Sequence, residues 1–284
     1  MKRLRFLLFF SIIFLGIISL LQVLPKRIVK ETNTPKSTPS PVPTLSPTPT
    51  PRPLTLAEMN LLYGPCVRMP ALMYHHIQGL NEAKEKNQTA LTVTPEFFRN
   101  QMQYLKDKGY AVVSVDNLIT FFDSGVVNPS VKAALITFDD AYEDFYRNAY
   151  PILKEFGYKA VVFVPTGLVN NPGYLSWDQI NEMASSGILF ANHTWSHKNV
   201  AVSQEVLERE ISTADLQLFE RGLNSSKVFA YPYGLDNQRA ISLLEKLNYK
   251  LAFTTRYGSV QCTKQRLDLP RIRIGNSNLS NYGF

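Results

Sequence analysis

In the stretch Ala134-Leu135-Ile136-Thr137-Phe138-Asp139-Asp140, an unbroken run of apolar and β-favouring residues ends in two adjacent carboxylates. Ala141 then opens a strongly helical pattern. A strand of a parallel sheet, buried on both faces, has this composition, with polar residues only where the chain leaves the sheet. Catalysis and ligand binding in α/β folds gather at that carboxyl end. Successive side chains of a strand point opposite ways, so Asp139 and Asp140 can serve one site in two roles. Taken alone, the pair also fits a plainer reading, with Asp140 capping the next helix and Asp139 solvated.

Outward from this stretch, strand and helix patterns alternate in both directions. On the amino-terminal side, Pro70–Ile77 reads as a strand. Thr94-Pro95-Glu96 is a cap and first helical turn, followed by Phe98, Met102 and Leu105 before Gly109. Ala111–Val115 reads as a short strand and Val115–Ser124 as a helix. On the carboxyl side, Tyr142, Phe145, Tyr146, Ala149, Ile152, Leu153 and Phe156 recur with helical period until Gly157. Strands follow at Lys159–Pro165, Gly187–Ala191, Lys227–Ala230, Lys250–Thr254 and Leu269–Ile274. Between them come a helix at Ser176–Ser186, a long one marked by Leu207, Ile211, Ala214 and Leu218, and another marked by Ile241, Leu244 and Leu247. Seven or eight strand-helix units with short connections predict an α/β fold, a (β/α) barrel rather than an open sheet.

The chain begins differently. Phe6–Pro25 is apolar apart from Ser11, Ser19 and Gln22, and twenty residues at about 1.5 Å each cross a bilayer core of roughly 30 Å. The run ends Leu-Gln-Val-Leu-Pro, without the small-residue site of a cleaved signal, so residues 6–25 are expected to stay as a transmembrane anchor behind a cytoplasmic segment 1–5. Eleven of the 18 prolines fall between Pro25 and Pro70. That places a Pro/Thr/Ser-rich, polyproline-like spacer at residues 26–55, able to extend about 3.1 Å per residue. A stalk of this kind suits an exported domain, residues 56–284, working in a cell wall. The expected location is therefore a single-pass protein of the cell membrane with its domain outside. Residues 1–53 hold eight Lys/Arg and one acid, which leaves 22 basic and 22 acidic residues for the rest. A neutral domain lacks the basic footprint of a nucleic-acid binder, and none is expected as a partner.

Two further stretches sit at predicted strand ends. In Ala191-Asn192-His193-Thr194-Trp195-Ser196-His197 the histidines are four apart, so one helical turn would place both imidazoles on one side. Two imidazoles and a carboxylate suit a divalent metal with open coordination positions. The chain has only 4 histidines, and all occupy two clusters, each at a predicted strand end. In Phe229-Ala230-Tyr231-Pro232-Tyr233-Gly234, Pro and Gly fix a turn whose backbone N–H groups can face an oxyanion, or the turn is simply structural. Cys66 and Cys262 precede the first and last predicted barrel strands, neighbours in a closed barrel. In an oxidising compartment they form a disulfide; the alternative is two unpaired thiols.

Together the motifs resemble the polysaccharide deacetylase (NodB-homology) family of carbohydrate esterases. Thr137-Phe138-Asp139-Asp140 matches its first motif, His193-Thr194-Trp195-Ser196-His197 its second and Tyr231-Pro232-Tyr233-Gly234 the core of its third, in the same order, over about Met69 to Ile274. The resemblance implies a distorted seven-stranded barrel and one divalent metal, zinc first, held by Asp140, His193 and His197. It implies Asp139 as catalytic base and the Tyr233 backbone N–H as oxyanion donor. The sequence departs twice: Ala230 stands where an Arg commonly pairs with the base, and no histidine follows His197 to act as the acid. Leu72-Met73-Tyr74-His75-His76 instead resembles the circularly permuted branch, which includes exported poly-N-acetylglucosamine deacetylases. There the acid maps to His75, leaving His76 a packing or substrate-edge role. Arg271 is the replacement for the missing Arg, with Arg273, of the same strand parity, as fallback.

The implied reaction is metal-dependent removal of N-acetyl groups from a cell-wall or extracellular N-acetylglucosamine polymer, by a protein acting as a monomer. Trp177, Trp195, Tyr174 and Tyr231 are candidates for stacking on sugar rings, or for the core. Glycoside hydrolysis needs carboxylates flanking a bond at about 5 Å or more, which fits adjacent aspartates poorly. A serine hydrolase would need a G-x-S-x-G elbow, which is absent. The remaining competitor is a wall-anchored glycan-binding protein of the same fold without turnover, for which Ala230 speaks.

Overall fold

The computed structural model describes residues 52–125 and 132–283. The expected anchor at 6–25 and all but the last residues of the spacer lie outside that range. Among the described residues no helix is long and apolar enough to cross a membrane.

Seven parallel strands close into a barrel: β1 (Ala71–Tyr74), β2 (Lys132–Phe138), β3 (Val161–Val164), β4 (Leu189–Asn192), β5 (Val228–Ala230), β6 (Leu251–Tyr257) and β7 (Leu269–Arg273). Each strand from β2 to β7 pairs with the next, and β1 completes the ring between β7 and β2. Helices lie around it, among them α1 (Leu56–Tyr63), α2 (Leu80–Glu85), α3 (Pro95–Asp107), α4 (Val115–Ser124), α5 (Tyr150–Phe156), α6 (Trp177–Ala184), α7 (Gln204–Phe219) and α8 (Gln238–Lys246).

Strand parity sorts the core into layers. Ala134, Ile136 and Phe138 of β2 pack outward with Leu72, Tyr74, Val162 and Val164 under α3 and α5. Ala133 and Leu135 point the other way, into a cluster with Ala71, Val161, Phe163, Ala191, Val228, Leu251, Phe253 and Leu269, to which α4 adds Leu118 and Phe121. Each fully buried aliphatic side chain contributes roughly 1.5–3 kcal/mol. The same parity directs Thr137 and Asp139 to the barrel interior.

The expected elements are present, with four differences. The first strand breaks after Tyr74, and His76–Ile77 leaves the barrel to pair with Thr92–Val93. The strand expected at Ala111–Val115 is Tyr110–Val112, because Ser114 already caps α4. The helix after Ala141 starts as a π-helical turn, Phe145–Ala149, before α5; Pro151 has no N–H for the regular ladder there. Gly157, with φ 66°, ends it as expected. Finally, Cys66–Arg68 pairs antiparallel with Val260–Cys262, with Cys66 opposite Cys262 and the two bonded as a disulfide.

Candidate active site

The carboxyl ends of β1, β2, β4, β5 and β7 converge on one mouth. Asp139, buried just past β2, is held at its backbone by Tyr74, whose carbonyl accepts the Asp139 N–H at 2.9 Å. Arg271 of β7 lies fully buried inside the barrel. Its Nη1 and Nη2 donate to the two Asp139 oxygens at 2.6 and 2.7 Å, its Nε to the Thr254 carbonyl and Nη1 also to Thr137 Oγ1. A bidentate guanidinium-carboxylate pair fixes direction as well as charge. Burial alone would raise the Asp139 carboxyl; the Arg271 charge and bonds outweigh it and hold the group below its ordinary value. Arg273, the fallback, is exposed at the strand end. The position left by Ala230 is thus filled from another strand.

Asp140 turns away from Asp139 because its backbone is left-handed, with φ 73°. Its Oδ1 lies 3.4 Å from His193 Nε2 and 3.0 Å from His197 Nε2. The two histidines do not share a helical turn. The segment after β4 is a loop, and left-handed backbone at Thr194 (φ 67°) and His197 (φ 58°) folds it back on itself. Six non-glycine residues other than asparagine have positive φ among the described residues, and five of them, Asp140, Ala141, Thr194, His197 and Tyr233, are in the three motif loops. Such conformations cost roughly 1–3 kcal/mol each and concentrate where geometry serves a site. Buried Glu210 of α7 secures the loop, accepting from the Ser196 N–H at 2.8 Å and the Ser196 hydroxyl at 2.7 Å.

The donor set fits a metal ion. The ligand atoms of Asp140, His193 and His197 lie within 4.8 Å of one another. His193 Nδ1 is 2.7 Å from the Ala230 carbonyl, which can only accept, so Nδ1 carries a proton and the neutral tautomer would offer its lone pair at Nε2. That lone pair faces the buried Asp140 Oδ1, which has no hydrogen-bond donor. Two acceptors facing each other in the interior are reconciled by a cation between them.

His75, half-buried where β1 ends, shares this mouth. Burial lowers its pKa, and Asp139, Asp140, Arg271 and Arg273 all act on its charge. His76 turns the other way and is buried, stacked on Tyr142 at 3.7 Å between ring centroids. The packing alternative therefore holds for His76. Tyr233, with φ 62°, sits in the turn after β5; the residue is 63% exposed and its ring is 4.8 Å from that of His197.

Of the four stacking candidates, Tyr231 belongs to the core, fully buried with its hydroxyl on the Leu267 carbonyl. Trp177 packs on the outer core under the Arg221 guanidinium. Trp195, 37% exposed, and Tyr174, whose ring leans on Tyr142, remain near the site. Sequence reasoning missed Tyr142, hidden as one more apolar position of a helical pattern. It also missed Glu210, which carries no local signal, and the bond that Thr137 Oγ1, quoted only as part of its motif, accepts from Arg271.

Residues 127–252 match the family model described as Polysaccharide deacetylase. A Bacillus subtilis (strain 168) protein, YxkH, itself assigned to the polysaccharide deacetylases, is 30% identical over 209 residues, covering 73% of this chain and 71% of that one. The poly-β-1,6-N-acetyl-D-glucosamine N-deacetylase of Staphylococcus aureus (strain MRSA252) is 25% identical over 229 residues, covering 72% and 78%. Among solved structures, the Streptococcus pyogenes deacetylase PplD, in complex with acetate, superimposes with a TM-score of 0.70 at 34% identity, covering 76% of this chain and 96% of that one. With its barrel, its three motif loops and these relatives, the chain belongs to the polysaccharide deacetylase family.

Proposed function

We propose that this protein is a metal-dependent N-deacetylase acting on an N-acetylglucosamine-type polysaccharide outside the cell. The observation that carries this reading is the division of labour between adjacent aspartates: Asp139 bonded to Arg271, Asp140 turned to two histidines. Asp140, His193 and His197 would hold one divalent ion, zinc first. Such an ion, when bound, lowers the pKa of water toward 7 and polarises the acyl oxygen. Asp139, kept anionic and aimed by Arg271, takes the proton of the attacking water. The Tyr233 N–H donates to the oxygen on which charge develops. His75, in its protonated form, gives a proton to the departing nitrogen, since an amine anion is a prohibitive leaving group. The C–N bond breaks, and acetate and a free amine are the products.

The substrate class is supported by the relatives named for poly-N-acetylglucosamine. The assignment of His75 follows the circularly permuted reading, which rests on the sequence resemblance of Leu72-Met73-Tyr74-His75-His76. The anchor at residues 6–25, the spacer and the external location rest on the sequence pattern, as does the expectation of a monomer that engages the membrane and no nucleic acid. The reading as a glycan-binding protein without turnover rested on Ala230; the Arg271–Asp139 pair withdraws that support. The test is acetate release from N-acetylglucosamine oligomers by the full-length protein in detergent. Release that stops with chelator and returns with zinc is expected, whereas oligomer binding without acetate would favour the glycan-binding reading.

A further inference from the structure

His76 and Asp144 form a buried pair that the proposed reaction does not use. Asp144 Oδ2 is 2.6 Å from His76 Nδ1, and Asp144 Oδ1 accepts the Ile77 N–H at 2.8 Å. His76 and Asp144 are 3% and 5% exposed. The other ring nitrogen, His76 Nε2, is buried and finds no hydrogen-bond partner among the described residues. The ring is therefore oriented by Asp144 and by its stack on Tyr142. Four residues beyond Asp144, Asn148 Nδ2 donates to the Ile77 carbonyl at 2.7 Å. Asp144 caps the π-helical turn Phe145–Ala149 and Asn148 lies within it, a few residues beyond the Asp139-Asp140 motif.

These bonds all fall on the two residues that follow His75, at the point where the first strand leaves the barrel. His75 itself sits in the break, between the end of β1 at Tyr74 and the strand His76–Ile77. Its position is set on one side by the β1 ladder to β2 and on the other by what holds His76 and Ile77. We propose that Asp144 is a positioning residue for the proton donor: it ties the segment carrying His75 to the segment carrying Asp139 and Asp140, so that acid and base keep a fixed separation across the scissile bond. A misplacement of about 1 Å in such a constellation can cost on the order of a hundredfold in rate.

This inference rests on the proposed role of His75, and the test separates the two. Wild type, Asp144→Asn and His75→Ala, all full-length, are compared on an N-acetylated glucosamine oligomer and on an aryl acetate. The aryl acetate releases a phenoxide that leaves without a proton, so loss of the donor spares it. Asp144→Asn keeps an oxygen for the Ile77 N–H but offers His76 a neutral partner. It is expected to lower kcat on the amide by about tenfold or more, with ester turnover within about threefold and zinc content unchanged. A residue of merely structural importance would lower both substrates together. His75→Ala should show the same selectivity, larger; if it does not, the acid assignment fails and takes the inference with it. If His75→Ala is selective but Asp144→Asn is not, the inference alone is overturned. Should Asp144→Asn fail to fold, His76→Asn and His76→Gln decide: the Asn amide occupies the place of Nδ1 and should retain more amide turnover than Gln, and equal behaviour overturns the inference.

Discussion

Asp139 and Asp140 are neighbours in the chain with opposite environments, and substitutions should separate them. Asp139→Asn cannot accept a proton from water; it is expected to keep stoichiometric zinc and lose catalysis. Asp140→Asn withdraws an anionic ligand and is expected to lose zinc first. Metal content measured beside acetate release decides, and equal zinc loss in both would refute the division. Arg271 is the other residue on which the site depends. Removing one member of a buried ion pair strands the other, at about 3–5 kcal/mol, so Arg271→Met should lower the free energy of unfolding by that order. The sign of the pH dependence follows from the depressed Asp139 carboxyl. A carboxylate with a lowered folded-state pKa adds stability above its unfolded value, near 3.8, and loses it as pH falls through the folded value. Denaturant titrations from neutral to acid pH should show this acid loss in wild type and a shallower one in Arg271→Met.

The loop after β4 shows how an element without regular structure can be held as firmly as a helix. Its left-handed residues are local costs, met by contacts from outside the loop. Glu210 reaches it from α7, and Gly167, whose N–H donates to the Trp195 carbonyl, packs so closely that a Cβ there would lie 2.6 Å from the Trp195 ring nitrogen. Glu210→Ala leaves the Ser196 N–H without its acceptor, a penalty of about 1–3 kcal/mol. The expected outcome is weaker zinc binding, measured by competition with a chromogenic chelator, through a loosened His197. Unchanged zinc affinity would mean that the loop holds its shape alone. The turn after β5 is equally constrained: Gly234 has φ 73°, and a Cβ on it would fall 1.9 Å from Thr255 Oγ1. Its companion Tyr233 takes the same left-handed conformation with a full side chain, which only the surrounding contacts make tolerable.

For the barrel as a unit, the bond between Cys66 and Cys262 joins positions 196 residues apart. It lies in the antiparallel pair that precedes β1 and β7, the strands that close the ring. A cross-link across so long a loop removes much freedom from the unfolded chain, and natural disulfides contribute about 2–5 kcal/mol. Cys66→Ser/Cys262→Ser is accordingly expected to fold but to melt several degrees lower, with zinc bound as in wild type. Non-reducing peptide mapping of the full-length protein should recover the linked peptides; two alkylatable thiols in their place would refute the bond.

The order of elements, the closed barrel and both acid and imidazole clusters were legible in the chain, because they rest on local pattern. Period two against period 3.6 separates strands such as Lys132–Phe138 from helices such as Gln204–Phe219, and the carboxyl-end rule then points to Asp139, Asp140, His193 and His197. The family resemblance pointed to Arg271, with Arg273 of the same strand parity as fallback, and to His75 of the two adjacent histidines; parity by itself could not choose. The arginine depends on ring closure, which brings Arg271 to a carboxylate 132 residues away, and β1 ends one residue before His75. Left-handed backbone at Thr194 and His197 was likewise invisible, since residue type alone argues against it and the helical spacing suggested a turn that does not form. Asp144 and Glu210 read as ordinary polar positions on helical patterns; they acquire partners only when distant segments pack against them. Local periodicity is encoded over a few residues, whereas pairing across a barrel depends on how all seven strands close.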